Sequence, residues 1–414
     1  MACGRVPVPF RLSPAFPIAV ALALAPTLAV LQFRGIAALT AICFAAAVLL
    51  ARRAEGRWPW PPPGAALAAA LALGGIVLAS TLWAADPGRA AFTGLRFAGF
   101  VALGAAAAAA MRGVEPPHLA HLRTALLAGL ALGIALAAAD HLSGNLVRAT
   151  VRGLREAPPH LYFGLKPAVS VIAVLLPLAV GMPGLRPALR GAFAVAGLGT
   201  ALLLPAESAK IAAVLGLMLL LVAPLAGAWL GRLIGAGLAI GILATPLILG
   251  AILPRLPALE GIPPSAAHRV LIWDFVGERI AERPLLGWGG EGSRTVPGGR
   301  DTFDAAQLAR YGLSLTSWQN FFDRPAAQRL PLHTHNAPLQ IWLELGALGA
   351  LAAAALALAM GALAARAGGA AMACLGATLM VGMLSYGVWQ EWWIGLQLLL
   401  VVAVAALGAP SRAR

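Results

Sequence analysis

Few side chains in this 414-residue chain are suited to chemistry, and several of them gather in one segment. Residues 333–346 read HTHNAPLQIWLELG, two histidines and an asparagine followed by a helical pattern. Asn336 suits the N-cap of that helix, and Pro338 is tolerated in its first turn. At ~100° per residue, Asn336, Gln340 and Glu344 follow one another along a single face. His335 sits just before the helix start, where free backbone N–H groups and the helix dipole favour an anion. An imidazole there can orient or deprotonate a hydroxyl, and His333 stands two residues away as a possible partner. The cations that could meet an anion are equally sparse. Arg269 opens another helical segment and can offer two donors to a phosphate oxygen pair. Lys166 and Lys210 are the two lysines of the chain. Glu207 precedes Lys210 by three residues, so a local ion pair and a point charge for phosphate are both open readings.

These residues must be positioned by a membrane-embedded scaffold. The chain is 60% hydrophobic and 11% charged, whereas charged side chains make up about a quarter of a soluble protein. A soluble fold, a collagen, a coiled coil and a disordered linker are all excluded, because the apolar residues form long unbroken blocks. The net charge of +14 comes from arginines scattered between those blocks rather than from a basic run, so nucleic acid is not indicated and membrane lipids are. Cys3, Cys43 and Cys374 are too dispersed for a disulfide framework. No HxxxH, CxxC or DxD arrangement appears in the polar loops, and no metal or other cofactor is expected.

Blocks of roughly 17–25 apolar residues are long enough to cross a bilayer as helices. About twelve are predicted, at 15–31, 35–51, 64–83, 91–111, 124–140, 167–183, 191–205, 210–230, 233–253, 337–363, 368–389 and 393–409. Residues 1–414 thus read as one all-α polytopic membrane domain. The first span, preceded by Arg5 and Arg11, is read as uncleaved because a second follows at once. With both termini in the cytoplasm, Arg52, Arg53, Arg57, Arg112, Arg123, Arg186, Arg190, Arg232 and Arg366 fall in inner loops, as the positive-inside rule asks.

Two outer loops stand out. The 141–166 segment is basic, with Arg148, Arg152, Arg155 and Lys166, against the charge rule. The 254–336 segment is the largest loop and is predicted to be ordered and functional. Within it, 268–283 places Val270, Trp273, Val276 and Ile280 on one face, a helix suited to lying on the membrane surface. Pro284 and the glycine-rich 287–292 end it. The Asn336, Gln340 and Glu344 stripe is expected to face the bundle interior and line a cavity opening outward. Arg96 reads as snorkelling to the interface, and Trp83, Trp389, Trp392 and Trp393 as an aromatic belt. Gln390 and Glu391, in the same turn, are candidates to face the cavity.

The run HTHNAPLQIWLELG resembles the C-terminal signature of the O-antigen ligase and O-antigen polymerase superfamily. HRVLIWDFVGERIAERPLLGWGGEG (268–292) is similar to that family's R-x-x-x-W…P-x-x-G-x-G segment, and ASTLWAADPGRA (79–90) to its weaker N-terminal element. The resemblance implies a GT-C-like inner-membrane glycosyltransferase acting on the periplasmic side, with no metal and no nucleotide sugar. Its donor would be a glycan on undecaprenyl pyrophosphate and its acceptor a sugar hydroxyl of lipid A–core. Carried over by position, the family's histidine before asparagine falls on His335 and its arginine before the aromatic segment on Arg269. Where the family often has Ser-x-Ser-Arg, this chain has Glu207, Ser208, Ala209 and Lys210, so a lysine replaces the arginine and one serine is absent.

The expected function is therefore metal-independent, inverting transfer of a glycan. Arg269, Lys210 and Lys166 would hold the pyrophosphate, and Ser208, Asn336, Gln340, Glu344 and His333 would line the substrate site. Joining one lipid-linked repeat to another, or glycosylating a protein, would use the same donor chemistry with a different acceptor. A twelve-helix secondary transporter is the alternative from another class. Such proteins place charges near the bilayer midplane on repeated, interrupted helices, whereas here the polar groups gather at span ends and no internal repeat is visible.

Overall fold

The computed structural model of the chain describes residues 9–408, so Cys3, Arg5, Arg412 and Arg414 lie outside the described residues. The architecture is all-helical. Helices α1 (Ala15–Leu31), α2 (Gly35–Glu55), α3 (Ala65–Ala79), α4 (Pro87–Ala110) and α5 (Pro116–Leu142) lead to the short α6 (Leu146–Val151). Then come α7 (Lys166–Val180), α8 (Pro187–Leu203), α9 (Glu207–Ala226) and α10 (Ala228–Ile252). The large loop holds α11 (Pro264–Glu282), α12 (Ala305–Arg310) and α13 (Thr316–Phe322), and α14 (Ala337–Ala367), α15 (Gly369–Leu384) and α16 (Glu391–Leu407) close the chain. Among the described residues, eight helices are long and apolar enough to cross a membrane, and α1, α8, α15 and α16 are shorter apolar helices. Each of the twelve expected blocks corresponds to one of these, with ends shifted by a few residues.

Local chemistry explains several of the ends. Asp86 caps α4 by accepting from the Arg89 N–H at 2.9 Å, with Pro87 in the first turn. Asn336 caps α14 by accepting from the Leu339 N–H at 3.0 Å. Helix α2 stops at Gly56, which takes the left-handed conformation beyond Arg52 and Arg53. Helix α7 is central: every residue from Pro167 to Val180 is buried, and α1, α5, α8, α9 and α15 pack around it. A second core joins α3, α4, α10 and α14.

Helix α14 is broken. Gly346 has φ 60° and ψ −155°, a region that is essentially glycine-only. Segment 284–289 lies in the break and satisfies the backbone groups it frees. The Ala347 and Leu348 N–H groups donate to the Pro284 and Leu285 carbonyls at 2.8 and 3.2 Å. The Trp288 and Gly289 N–H groups donate to the Leu343 and Glu344 carbonyls at 2.9 and 2.7 Å. Irregular backbone within a membrane helix persists only when protein or water satisfies it in this way. A Cβ on Gly346 would lie 2.4 Å from the Leu285 carbonyl carbon, and one on Gly287 would lie 2.5 Å from that of Glu344. The same segment is tied to the 79–90 turn, where Ser80 Oγ accepts from the Gly290 N–H at 2.8 Å and the Trp83 indole donates to the Leu286 carbonyl at 3.1 Å.

Three expectations are corrected. Helix α11 does not lie on a membrane surface: Ala267, Leu271, Ile272, Phe275, Val276 and Ile280 are all buried, against α14 on one side and the α12–α13 segment on the other. Helical spacing alone marks one apolar face, whereas the folded helix packs against two partners. Trp389, Trp392 and Trp393 are no lipid-facing belt, being at most 4% exposed and packed inside the protein. Arg96 does not reach for an interface; it pairs with Glu391, whose side chain stays half exposed, and donates to the Trp389 carbonyl at 3.1 Å.

Because Gly346 meets backbone on both counts, Gly346→Ala should lower the melting temperature of the detergent-solubilised protein by several degrees. The backbone strain alone is worth about 1–3 kcal/mol. Gly237→Ala, at a helical site with nothing within 4 Å of the new carbon, serves as control and should melt with the parent. Equal melting of the two variants would contradict this account of the break.

Candidate active site at the loop end of the bundle

The site is assembled where the large loop meets the ends of α7, α9, α14, α15 and α16. Its centre is the 333–336 turn. Trp273 on α11 donates its indole N–H to the Thr334 carbonyl at 2.9 Å, fixing the turn to that helix. Arg269 lies one helical turn before Trp273 on the same face, so the anchor that positions the histidine segment also brings the guanidinium to it. Thr334 is fully buried, and its hydroxyl accepts from the Asn336 N–H at 3.2 Å.

His335 adopts φ 54°, an uncommon conformation for a non-glycine residue and one that clusters at functional sites. Its backbone N–H donates to His333 Nδ1 at 3.1 Å, so a neutral His333 carries its proton on Nε2. His335 Nδ1 lies 3.0 Å from the Ser385 carbonyl. A carbonyl can only accept, so Nδ1 holds the proton and Nε2 keeps the free lone pair. Burial and the nearby Arg269 charge push the His335 pKa down to about 4, with Lys166 adding to the effect. Burial pushes His333 down to about 3, with the His335 and Arg294 charges contributing. Both imidazoles are therefore neutral near pH 7.

Around this turn the cations are unequal. Arg269 is half-buried, and among the described residues no hydrogen bond or ion pair engages its guanidinium. Burial lowers its pKa from a value far above neutrality, so it stays charged. Lys166 begins α7 and lies within electrostatic reach of Arg269 and Glu207. Lys210 donates to Glu207 at 2.8 Å, the local pair the sequence spacing allowed. Ser208 hydrogen-bonds the Ser385 hydroxyl, which ties the start of α9 to the residue that holds His335. Structure thus brings His335, His333, Arg269, Lys166 and Ser208 together, with the Lys210–Glu207 pair alongside.

Gln340 and Glu344 do not line an open cavity. Glu344 is wholly buried and receives the Glu291 N–H at 2.9 Å, the Trp389 indole at 2.5 Å, the Gln340 amide at 3.0 Å and the Ser293 hydroxyl. Gln340 Oε1 accepts from the Val388 N–H at 2.9 Å. Their stripe is polar because it ties the glycine-rich segment and the 388–389 turn to α14. The basic 141–166 loop is likewise corrected in part: Arg148 is fully buried in an ion pair with Asp140 at 2.6 Å, leaving Arg152 and Arg155 exposed. Sequence reading missed Ser385 and Tyr386, whose hydroxyl lies 3.0 Å from Ser170 Oγ, since neither sits in a pattern. Trp273 was visible, but as an apolar-face residue rather than as the anchor of Thr334.

No protein-family model matches the chain. Over 187 residues it is 33% identical to a Rickettsia conorii protein named "Putative polysaccharide ligase", covering 44% of this chain and 42% of that one. Proteins bearing the same description in Rickettsia prowazekii and Rickettsia felis match over the same length at 33% and 30%. The chain's match spans about two fifths of the length of these relatives.

If Trp273 holds the turn, Trp273→Phe should speed amide hydrogen exchange at 334–336 by roughly fivefold, the value of one lost hydrogen bond of about 1 kcal/mol. The melting temperature should move little. Unchanged exchange would show that the turn keeps its shape without the indole.

Proposed function

We propose that the chain is a bacterial inner-membrane glycosyltransferase that moves a glycan from undecaprenyl pyrophosphate to a sugar hydroxyl of lipid A–core at the periplasmic face. The observation that carries this reading is the neutral imidazole of His335, with its Nε2 lone pair free, beside the charge of Arg269, which has no ion-pair partner among the described residues. The similarity to polysaccharide ligases and the polytopic helical architecture support a glycan-ligating membrane enzyme. Donor, acceptor and sidedness come from the resemblance of the 268–292 and 333–346 motifs.

In this mechanism Arg269 and Lys166 bind the diphosphate and stabilise the charge that grows on it as it leaves. Lys210, half-neutralised by Glu207, contributes less. The acceptor hydroxyl gives its proton to His335 Nε2 while its oxygen bonds to the anomeric carbon. The bond from that carbon to the diphosphate oxygen breaks on the opposite face, and undecaprenyl pyrophosphate departs with the electron pair. A single displacement inverts the anomeric centre. Diphosphate is already a good leaving group, so positioning and charge neutralisation carry most of the rate. No step requires a metal. Asn336, Gln340 and Glu344 act through the helix they cap and brace rather than by touching substrate.

Arg269→Ala and His335→Ala, each shown to insert normally, should cut glycan transfer in a membrane assay by about 100-fold or more. Full transfer by either would remove that residue from the mechanism. Transfer should also be insensitive to excess chelator, whereas dependence on a divalent ion would contradict the metal-free reading. In a knockout, polymer that stays on the carrier with none on lipid A–core indicates a ligase, and a single repeat on the core indicates a polymerase.

The acid limb of kcat/KM gives a separate test. Protonation of His335 removes the lone pair, and its pKa is held down to about 4. Rates should be level from pH 8 to about 5 and fall only as pH approaches 4; a midpoint near the ordinary histidine value of about 6.5 would contradict the tautomer and burial described here.

A further inference from the structure

A second cationic feature lies next to the histidine turn. A cavity of about 310 Å³ is walled by Arg89, Arg294 and Arg300, with Gln328 and the Leu330–Leu332 strand of chain beside them. Pro331 and Leu332 run directly into His333, so the cavity and the imidazoles share one stretch of backbone. None of its wall residues is acidic.

The arginines are oriented for a ligand. Arg89 donates its Nε–H to Asp86 at 3.1 Å, and Arg294 pairs with Glu291 through the same atom. Each carboxylate thus grips the back of a guanidinium and leaves both terminal nitrogens unengaged among the described residues. Arg300 is exposed and has no ion pair or side-chain hydrogen bond among them. Three guanidinium groups around one cavity match the several oxygens of a phosphate better than the single edge of a carboxylate. The apolar wall from Leu330 to Leu332 suits the face of a sugar ring, and Gln328 can meet its hydroxyls.

The geometry points to this cavity as a subsite for a phosphate group on the acceptor saccharide, distinct from the cations that hold the donor diphosphate. In-line displacement places the incoming hydroxyl and the leaving diphosphate on opposite faces of the anomeric carbon. Arg269 acts on both histidines, Lys166 on His335 and Arg294 on His333. The cavity adjoins the histidine pair through Pro331 and Leu332, while its arginines are different residues from Arg269 and Lys166. This assignment rests on the transfer reaction proposed above.

The test compares lipid-linked core bearing phosphomonoesters with the same material after phosphatase treatment, using the full chain in detergent or nanodiscs. Arg300→Gln, at an exposed side chain outside the packed core, should shrink the kcat/KM preference for the phosphorylated acceptor by about tenfold, through acceptor KM; Arg89→Gln/Arg300→Gln should shrink it further. Loss of donor affinity instead, or an unchanged preference, would overturn the subsite. Direct titration of the purified protein with a phosphorylated core oligosaccharide gives a readout that needs no turnover: binding weakened by Arg300→Gln supports the subsite even if transfer itself is disproved. If the same substitution weakens only association with anionic-lipid nanodiscs, the cavity serves a lipid headgroup and the proposal fails.

Discussion

The break in α14 is the constraint on which the site depends. At Gly346 the helix leaves its backbone groups open, and segment 284–289 closes them with four hydrogen bonds. That insertion fixes the distance between the end of α11 and the start of α14. Since α11 carries Arg269 and Trp273, and α14 is entered through His335 and Asn336, the plug sets the register in which cation and imidazole meet. Glu344 completes the joint. A buried carboxylate is costly unless its lone pairs are filled, and five donors from three separate segments fill them. Removing one donor would leave a buried oxygen short of a hydrogen-bond partner, so the joint is held by satisfied polar contacts rather than by abundance of packing.

The electrostatic design builds on that joint. His335 is neutral because it is buried and faces positive charge, and the Ser385 carbonyl chooses which nitrogen keeps the proton. Ser385 is itself held by Ser208 at the start of α9, next to the Glu207–Lys210 pair. Cations that depress an imidazole's basicity also prepare the site for an anion. The same feature that makes His335 a weak base therefore fits a reaction in which leaving-group stabilisation matters more than base strength.

How much of this was legible depended on sequence distance. The Asn336 cap, the helix behind Arg269 and the twelve apolar blocks rest on local spacing, which survives folding. The fate of the Asn336, Gln340 and Glu344 stripe does not. A polar face at helical spacing is the same whether it lines a cavity or binds neighbouring protein, and the deciding partners, Glu291, Ser293 and Trp389, lie elsewhere in the chain. Trp389, Trp392 and Trp393 had the position of an interfacial belt, but Phe97 of α4, Phe33 of the α1–α2 turn and Tyr386 of the α15–α16 connection pack on them. Arg148 looked free because Asp140, its partner, lies at the end of the preceding span.

The most direct measurement is a cryo-EM structure with undecaprenyl pyrophosphate bound. The account predicts diphosphate density against Arg269 and Lys166, within reach of His335 Nε2. Density for the diphosphate in the Arg89, Arg294 and Arg300 cavity, or at the opposite end of the bundle, would contradict it.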